Sequence, residues 1–362
     1  MKVKIISRKT AFSALASVGV VALLSACGTA PDKNGGGSAA SNDFMPCMVS
    51  DEGGFDDNSF NQLSFEGLQA ATEQLGVKSR EVESNAETDY PSNLNSMVDA
   101  GCEIIVSVGF KIAEATAEAA QANPDVNFAI VDVDDMGIDN VQSIIFDTVG
   151  AAFLAGYVAA DTTTTGVVGT FGGAQIPSVT IFMDGFVQGV EYYNQQKGTN
   201  VSVLGWDYKT QTGSFTGGFE ANQTAKSAAT ALIDQNADII MPVGGPIFRS
   251  AAAAITDSGK DVAIIGVDAD LFESAPEFQS MYLTSVLKGL AEGVEASVLA
   301  AAKGNFNNTP FVGTLENGGV GIAPFHEWES RVSATLADEL ETVKAGLIDG
   351  SITATSDASP KQ

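Results

Sequence analysis

From residue 44 onward the chain alternates short, continuous apolar runs with longer stretches in which apolar residues recur every three or four positions. Short runs rich in Val and Ile predict buried strands, and the longer stretches predict helices with one apolar face. The first series predicts strands at 44–49, 77–82, 103–108, 128–133 and 141–146, with helices near 60–75, 89–100 and 112–123. Such alternation is typical of a parallel sheet covered by helices.

A second series repeats this pattern. It predicts strands at 167–171, 201–206, 239–243 and 263–267, with helices near 178–196, 222–235 and 248–258. Later segments follow as a strand-like run at 282–287, an Ala-rich helix ending at 302, a short strand at 313–315 and a helix near 330–345. We expect these late segments to cross between two similar α/β lobes. Such lobes form a cleft at the carboxyl ends of their strands, where open parallel sheets bind ligands.

The first 26 residues are predicted to be a secretory signal. Four basic residues precede an apolar run at 11–24, which is shorter than the roughly 20 residues that a membrane-spanning helix needs. The sequence Leu24-Ser25-Ala26-Cys27 resembles the bacterial lipobox, so we expect cleavage before Cys27 and lipid attachment to it. The rest of 27–42 is rich in Gly, Ser and Ala and predicts a flexible linker that holds the folded part off the membrane.

The chain is strongly acidic. Its 45 acidic and 18 basic residues give a net charge of −27, and removal of 1–26 takes away four basic residues and no acidic ones, which leaves −31. Nucleic-acid binding depends largely on Lys and Arg at the phosphates, so we expect no nucleic-acid partner. The hydrophobic content of 44% supports a folded core, and 362 residues are enough for about two domains.

Two cysteines remain besides Cys27. Cys47 and Cys102 each begin an apolar run that predicts a strand, and the starts of neighbouring parallel strands lie close together. An exported protein can keep a disulfide, so a Cys47–Cys102 bridge and two buried free thiols are both open. The spacing is not that of a zinc site.

Polar residues gather directly after five of the predicted strands. The residues concerned are Asp51, Asp56, Asp57, Gly109, Phe110, Asp132, Asp134, Asp135, Gly244, Gly245, Asp268 and Asp270. Any of these carboxylates can simply cap a helix or solvate a loop. Carboxylates also accept hydrogen bonds from sugar hydroxyls, and aromatic faces stack on flat rings, so a nucleoside or a sugar suits this region. Phe60, together with Phe215 or Phe219, is the candidate stacking surface.

Catalytic motifs are absent from the sequence. His326 is the only histidine, and no GxSxG, HExxH, GxGxxG or GxxxxGK[ST] pattern occurs. The sequence therefore predicts a binding protein that is not an enzyme and uses no cofactor or metal. A nucleoside hydrolase that uses the aspartates as a base or metal site is the alternative from another class.

Six segments in order along the chain resemble the basic membrane protein family of lipoproteins. They are the lipobox Cys27, CMVSDEGGFDDNSFNQLSFEG at 47–67, IIVSVGF at 104–110, IIMPVGGP at 239–246, IIGVDAD at 264–270 and TSVLKG at 284–289. Family members similar to purine-nucleoside receptors are substrate-binding proteins of ABC transporters. The resemblance implies the type I periplasmic-binding-protein fold, with two doubly wound parallel-sheet lobes joined by a multi-crossover hinge.

The predicted organisation follows from this fold. We expect a first lobe at 43–150 plus about 268–305, a second lobe at 151–267 plus about 306–352, and a tail at 353–362. The expected function is that of a monomeric receptor, anchored by lipid on the extracytoplasmic membrane face, that binds a purine nucleoside and delivers it to an ABC permease. A sugar or another small polar metabolite is the alternative ligand for the same fold.

The resemblance also implies a site of eight residues. These are Asp51, Phe60, Asn61, Asp132, Phe219, Gly245, Asp268 and Lys288. The family's site implies that Phe60 and Phe219 sandwich the purine, with Asp51 and Asn61 nearby.

The other four residues have implied roles at the base edge and the sugar. Asp132 is expected to bond to the base edge, Gly245 to let backbone approach the ligand, and Asp268 and Lys288 to hold the ribose hydroxyls. The chain departs from many relatives after Phe219, where Glu-Ala-Asn-Gln-Thr-Ala-Lys replaces an acidic residue followed by Lys-Gly. The choice between Phe215 and Phe219 stays open because two glycines separate them.

Overall fold

The computed structural model describes residues 44–361, and the predicted signal, Cys27 and the whole predicted linker lie outside this range. Its first elements follow the apolar pattern closely. They are β1 (Pro46–Val49), α1 (Phe60–Leu75), β2 (Arg80–Val82), α2 (Tyr90–Asp99), β3 (Ile104–Val108), α3 (Ala113–Ala122), β4 (Asn127–Val131) and β5 (Val141–Phe146). No helix between residues 44 and 361 is long and apolar enough to cross a membrane.

The second series has more elements than the pattern predicts. It consists of α4 (Val149–Thr162), β6 (Val167–Gly172), α5 (Pro177–Lys197), β7 (Ser202–Leu204), β8 (Trp206–Asp207), β9 (Thr212–Gly213), α6 (Gln223–Asp234), β10 (Ile239–Val243), α7 (Ile247–Ser258) and β11 (Ala263–Asp268). The chain then continues with α8 (Leu271–Ser274), β12 (Tyr282–Lys288), α9 (Leu290–Ala302), β13 (Phe311–Gly313), β14 (Val320–Ile322) and α10 (Leu336–Asp349). The predicted strand at 201–206 is two short strands, and the last helix begins later than its charged pattern indicates.

Twelve of these strands form two six-stranded sheets, each the centre of one lobe, and β8 and β9 form a separate antiparallel hairpin. The first lobe has the strand order β13-β5-β4-β3-β1-β2, and the second has the order β14-β12-β11-β10-β6-β7. Every pairing within the two sheets is parallel except that of β12 with β14. The predicted α/β class with two parallel-sheet lobes is confirmed.

The chain passes between the lobes three times, after β5, after β12 and after β13. The crossing segments are hydrogen bonded to one another: Asp147 donates its N–H to the carbonyl of Gly313 at 2.8 Å, and Gly289 donates to Gly319 at 2.8 Å. Two segments lie elsewhere than the sequence-based division places them. The strand β12, assigned to the first lobe, pairs with β11 in the second sheet, and β13, assigned to the second lobe, pairs with β5 in the first. The lobe to which a strand belongs depends on the strand it pairs with, and the local sequence pattern does not specify that partner.

Helix α4 was not predicted from the sequence. Nearly all of its residues are buried, so it lacks the polar face that gives a helix its periodic signal. It lies against α5 at very short range, because a Cβ on Gly185 would stand 2.2 Å from the carbonyl oxygen of Val149 and one on Gly189 would stand 2.0 Å from that of Phe153. These two glycines allow the close backbone approach.

Cys47 and Cys102 form a disulfide in the structure, with their Cα atoms 5.9 Å apart. Cys47 is in β1, which pairs in parallel with β3, and Cys102 lies two residues before β3 begins. Both side chains are buried in the first lobe. Of the two alternatives that the sequence leaves open, the structure therefore has the bridge.

Candidate ligand-binding site

A cavity lies between the lobes at the carboxyl ends of β1, β3, β4, β10 and β11. All eight residues predicted for the site line it. The space between its lining atoms, including the part that is open to solvent, is about 560 Å³. The prediction that residues following the strands lie together is confirmed, because the loops after parallel strands all lie at one edge of the sheet.

A buried charged group connects the two lobes inside this cavity. The Nζ atom of Lys288 lies 2.6 and 2.8 Å from the two carboxylate oxygens of Asp132, and 3.7 Å from Oδ1 of Asp268. Lys288 is 5% exposed. A buried ammonium requires such partners, so one cation holds two carboxylates facing the ligand space.

Asp132 and Asp268 occupy equivalent positions in the two lobes. Asp132 follows β4 and Asp268 ends β11, and both have left-handed backbone conformations, with φ of 64° and 68°. Non-glycine residues adopt this conformation rarely, and Asp and Asn adopt it more readily than most. Burial raises the pKa of Asp268 to about 6 and also raises that of Asp132, while the Lys288 ammonium opposes both shifts.

A second polar group lies at the start of α1. The Nδ2 atom of Asn61 donates to Oδ1 of Asp51 at 3.0 Å, and burial raises the pKa of Asp51 to about 7. The Oδ1 atom of Asn61 is buried without a hydrogen-bond partner among the described residues. A buried amide oxygen is expected to have a donor, so this atom is free to accept a hydrogen bond from a ligand.

Asp57 has a structural role in addition to lining the cavity. Its carboxylate accepts hydrogen bonds from the backbone N–H groups of Ser59, Asn61 and Gln62, at 2.9, 3.0 and 3.1 Å. These are donors of the first turn of α1 that lack partners within the helix. Asp57 therefore fixes the start of the helix that carries Phe60.

Phe60 and Phe219 line the cavity from opposite lobes. Lys288 Nζ is 5.0 Å from the centroid of the Phe60 ring, and Lys111 Nζ is 5.9 Å from that of Phe219. Phe215 does not line the cavity, because its ring packs edge-on against Trp206 with centroids 5.7 Å apart. Of the two rings left open by the sequence, only Phe219 faces the ligand space.

Several lining residues were missed in the sequence analysis. Lys111 follows β3 and makes ion pairs with Glu52 and Glu87, both at 3.1 Å. Ser178 and Phe182 belong to the first turns of α5, which follows β6. The same strand-end rule would have found Lys111 and Ser178, whereas Phe182 gives no signal because apolar residues in a helix are ordinarily core.

Other strand-end carboxylates lie outside this cavity and stabilise loops. Asp135 accepts a hydrogen bond from the backbone of Gly137 at 2.9 Å, and Asp270 accepts one from Phe272 at 3.1 Å. Asp270 also contacts His326, whose ring stacks on Phe272 with centroids 4.0 Å apart. Among residues 44–361, no three His, Cys, Asp or Glu side chains are grouped so that they could hold a metal ion.

Two α/β lobes enclose a polar and aromatic cleft, an arrangement suited to binding a small solute. The family described as ABC transporter substrate-binding protein PnrA-like matches residues 44–348, and the protein belongs to this family. The resemblance found in the sequence is thereby confirmed. Proteins of this class act outside the cytoplasm, binding a ligand and interacting with the permease components of a transporter.

Similarity to known proteins extends over nearly the whole chain. The CD4+ T-cell-stimulating antigen of Listeria innocua is 30% identical, with 94% of this chain and 96% of that protein covered. The ABC transporter nucleoside-binding protein BmpA of Lactococcus lactis is 29% identical, with 96% and 98% covered. A crystal structure of an ABC transporter solute-binding protein from Aeropyrum pernix has a TM-score of 0.77 at 24% identity, covering 87% of this chain and 94% of that one, and shares the fold.

Proposed function

We propose that the protein binds a purine nucleoside between its lobes and delivers it to an ABC permease. The observation that carries this proposal is that Phe60 and Phe219, from opposite lobes, line the same cavity as the Lys288, Asp132 and Asp268 group. Aromatic faces suit a flat base, and buried carboxylates with an ammonium suit the vicinal hydroxyls of a ribose. The name of the Lactococcus relative supports the same ligand class.

The polar atoms in the cavity also suit an uncharged nucleoside. The unpartnered Oδ1 of Asn61 can accept a hydrogen bond from an N–H group of a base or from a hydroxyl group of a sugar. A nucleotide is disfavoured because its phosphates would add charge beside Asp51, Asp57, Asp132 and Asp268. A neutral nucleoside can donate a hydrogen bond to Asn61 and adds no negative charge to the cavity.

The proposal includes a lipid anchor at Cys27 on the extracytoplasmic face of the membrane. It rests on the Leu24-Ser25-Ala26-Cys27 sequence and on the linker composition that follows. The receptor would act as a monomer without catalysing a reaction. Mass spectrometry of the membrane-extracted protein tests the anchor, since a chain that begins at Cys27 with acyl groups is expected and a chain that keeps 1–26 would contradict it.

Native mass spectrometry of the protein purified without unfolding tests the ligand. We expect a mass increase equal to a purine nucleoside, which disappears on denaturation. Phe219→Leu should lose this adduct, and Phe215→Leu, which changes a neighbouring ring outside the cavity, should keep it. An adduct of sugar mass, or a nucleoside adduct that survives Phe219→Leu, would contradict the proposal.

A further inference from the structure

Two glycines provide the surface on which the Phe219 ring lies. Gly173 follows β6, Gly244 follows β10, and the two strands are neighbours in the second sheet. A Cβ atom on Gly173 would stand 2.4 Å from Cδ1 of Phe219, and one on Gly244 would stand 2.7 Å from the same atom. Real side chains do not approach so closely, so the ring occupies space that only glycine leaves open at both positions.

The backbone that leads to Phe219 is held on the same sheet edge. Thr216 donates its N–H to the carbonyl of Gly172 at 3.0 Å, and Gly217 donates to that of Gly173 at 2.8 Å. The Thr216 hydroxyl closes the turn by donating to the Gly218 carbonyl at 2.7 Å. With the loop fixed in this way, a methyl group at position 173 would displace the ring more readily than the loop.

The position of the Phe219 ring also matters for its contacts with the opposite lobe. Lys111 approaches the Phe219 ring from the first lobe, with 5.9 Å between Nζ and the ring centroid, and its own ion pairs with Glu52 and Glu87 hold it in place. The two glycines contact Cδ1 and Cε1, one edge of the ring, and so fix how deeply the ring sits in the second lobe. A base can stack on it only while this position is kept.

We propose that Gly173 and Gly244 are positioning residues, which set the Phe219 ring at the depth where it stacks on the ligand's base. The inference rests on the proposed function, because it assigns Phe219 a stacking role. Gly244 has a φ of 145°, a conformation that L side chains rarely adopt, so its substitution would strain the backbone as well. Gly173 does not have a left-handed conformation, so its substitution acts through close contacts, with the Phe219 ring first and with the Gly218 carbonyl oxygen at 2.9 Å second.

Calorimetric titration with inosine tests the inference through a double-mutant cycle. Gly173→Ala should weaken binding about tenfold to one-hundredfold, the range for loss of one base-stacking contact. The same substitution should have little further effect when Phe219→Ala is already present, because the group through which it acts is gone. The double variant removes the clash with the ring but keeps the 2.9 Å approach of the new Cβ to the Gly218 carbonyl oxygen, so an effect that acts through the loop instead of the ring would persist in it.

Gly218→Ala is the matched control, since a Cβ there would have no atom within 4 Å. It should bind inosine as the unchanged protein does. Equal affinity of Gly173→Ala and the unchanged protein would overturn the inference and leave the proposed function intact. A loss that persists at full size in the Phe219→Ala background would also overturn it. Absence of inosine binding by the unchanged protein would instead refute the proposed function, and the inference with it.

Discussion

Lys288 donates from Nζ to both carboxylate oxygens of Asp132, at 2.6 and 2.8 Å, and so joins the last residue of β12 in one lobe to the residue after β4 in the other. Both side chains are almost fully buried. Opening of the lobes would separate these charges. The pair therefore belongs to the closed arrangement and lies where a ligand's polar groups would be.

Replacement of Lys288 should lower stability much more than replacement of an exposed lysine. Lys288→Met leaves Asp132 and Asp268 buried beside each other without their cation, which we expect to lower the free energy of unfolding by about 3 kcal/mol. Lys197→Met is the control, because its ion pair with Glu339 lies at the surface and should contribute less than about 1 kcal/mol. Urea unfolding measures the free energy of unfolding of both variants. An equal decrease in the two would contradict the importance assigned to the buried ion pair.

Stability of the ligand-free protein should fall as the pH rises. Burial raises the pKa of Asp51 to about 7 and that of Asp268 to about 6, from an ordinary value of 3.8. An acid with a raised pKa binds its proton more tightly in the folded state than in the unfolded state. Its contribution to the free energy of unfolding is therefore complete below about pH 4 and is lost as the pH rises through about 6 to 7. Urea unfolding across this range measures the decline. Asp51→Asn should reduce the decline, and an unchanged pH dependence would contradict the role of Asp51.

Reduction of the disulfide should destabilise the first lobe. Cys47 and Cys102 are 55 residues apart in sequence, and closing a loop of that length contributes up to about 4 kcal/mol on the chain-entropy argument. We expect the urea midpoint to fall when a reductant is added. The double variant Cys47→Ser with Cys102→Ser should be less stable and insensitive to reductant. A midpoint that reductant leaves unchanged in the unaltered protein would show that the bridge is absent.

Asn58 should slow ligand release, because it links the lobes outside the cavity. Its side chain donates to the carbonyl of Ser274 and accepts from Arg249, and the Ser274 hydroxyl donates to its carbonyl at 2.8 Å. Asn58→Gly keeps the left-handed backbone and removes two hydrogen bonds of about 1 kcal/mol each, so release of bound inosine should be about thirtyfold faster. Stopped-flow displacement measures this rate.

Asn236 provides the control for that measurement. It also has a left-handed backbone, with φ of 70° against 60° at Asn58, and it is an exposed residue of the second lobe. Asn236→Gly should leave the release rate unchanged. Similar acceleration by both variants would indicate a general effect of glycine and would contradict a specific link through Asn58.

The sequence predicts most of this architecture for a simple physical reason. Amphipathic α1 and buried β5 carry clear periodic signals, and their bounds agree with the prediction. Helix α4 carries none, because α5, α10 and strands β12 and β14 pack around it and bury nearly all of its residues. The lobe membership of β12 and β13 depends on strand pairing across long sequence separations, which local patterns do not encode.

The site shows the same division. Asp51, Asp132 and Asp268 could be placed because carboxyl ends of parallel strands meet at one edge. The ion pair between Asp132 and Lys288 could not be predicted from the sequence, because it depends on how the lobes close. The position of Phe215 outside the cavity could not be predicted either, because it depends on contact with Trp206 of the β8–β9 hairpin.

Calorimetric titration of the protein with inosine, adenosine, guanosine, uridine and ribose tests the central claim most directly. The account predicts that the purine nucleosides bind at a single site, that ribose does not compete with them, and that Phe60→Ala weakens binding about tenfold or more through loss of base stacking. Saturation by ribose or another sugar, with no response to any nucleoside, would contradict the claim.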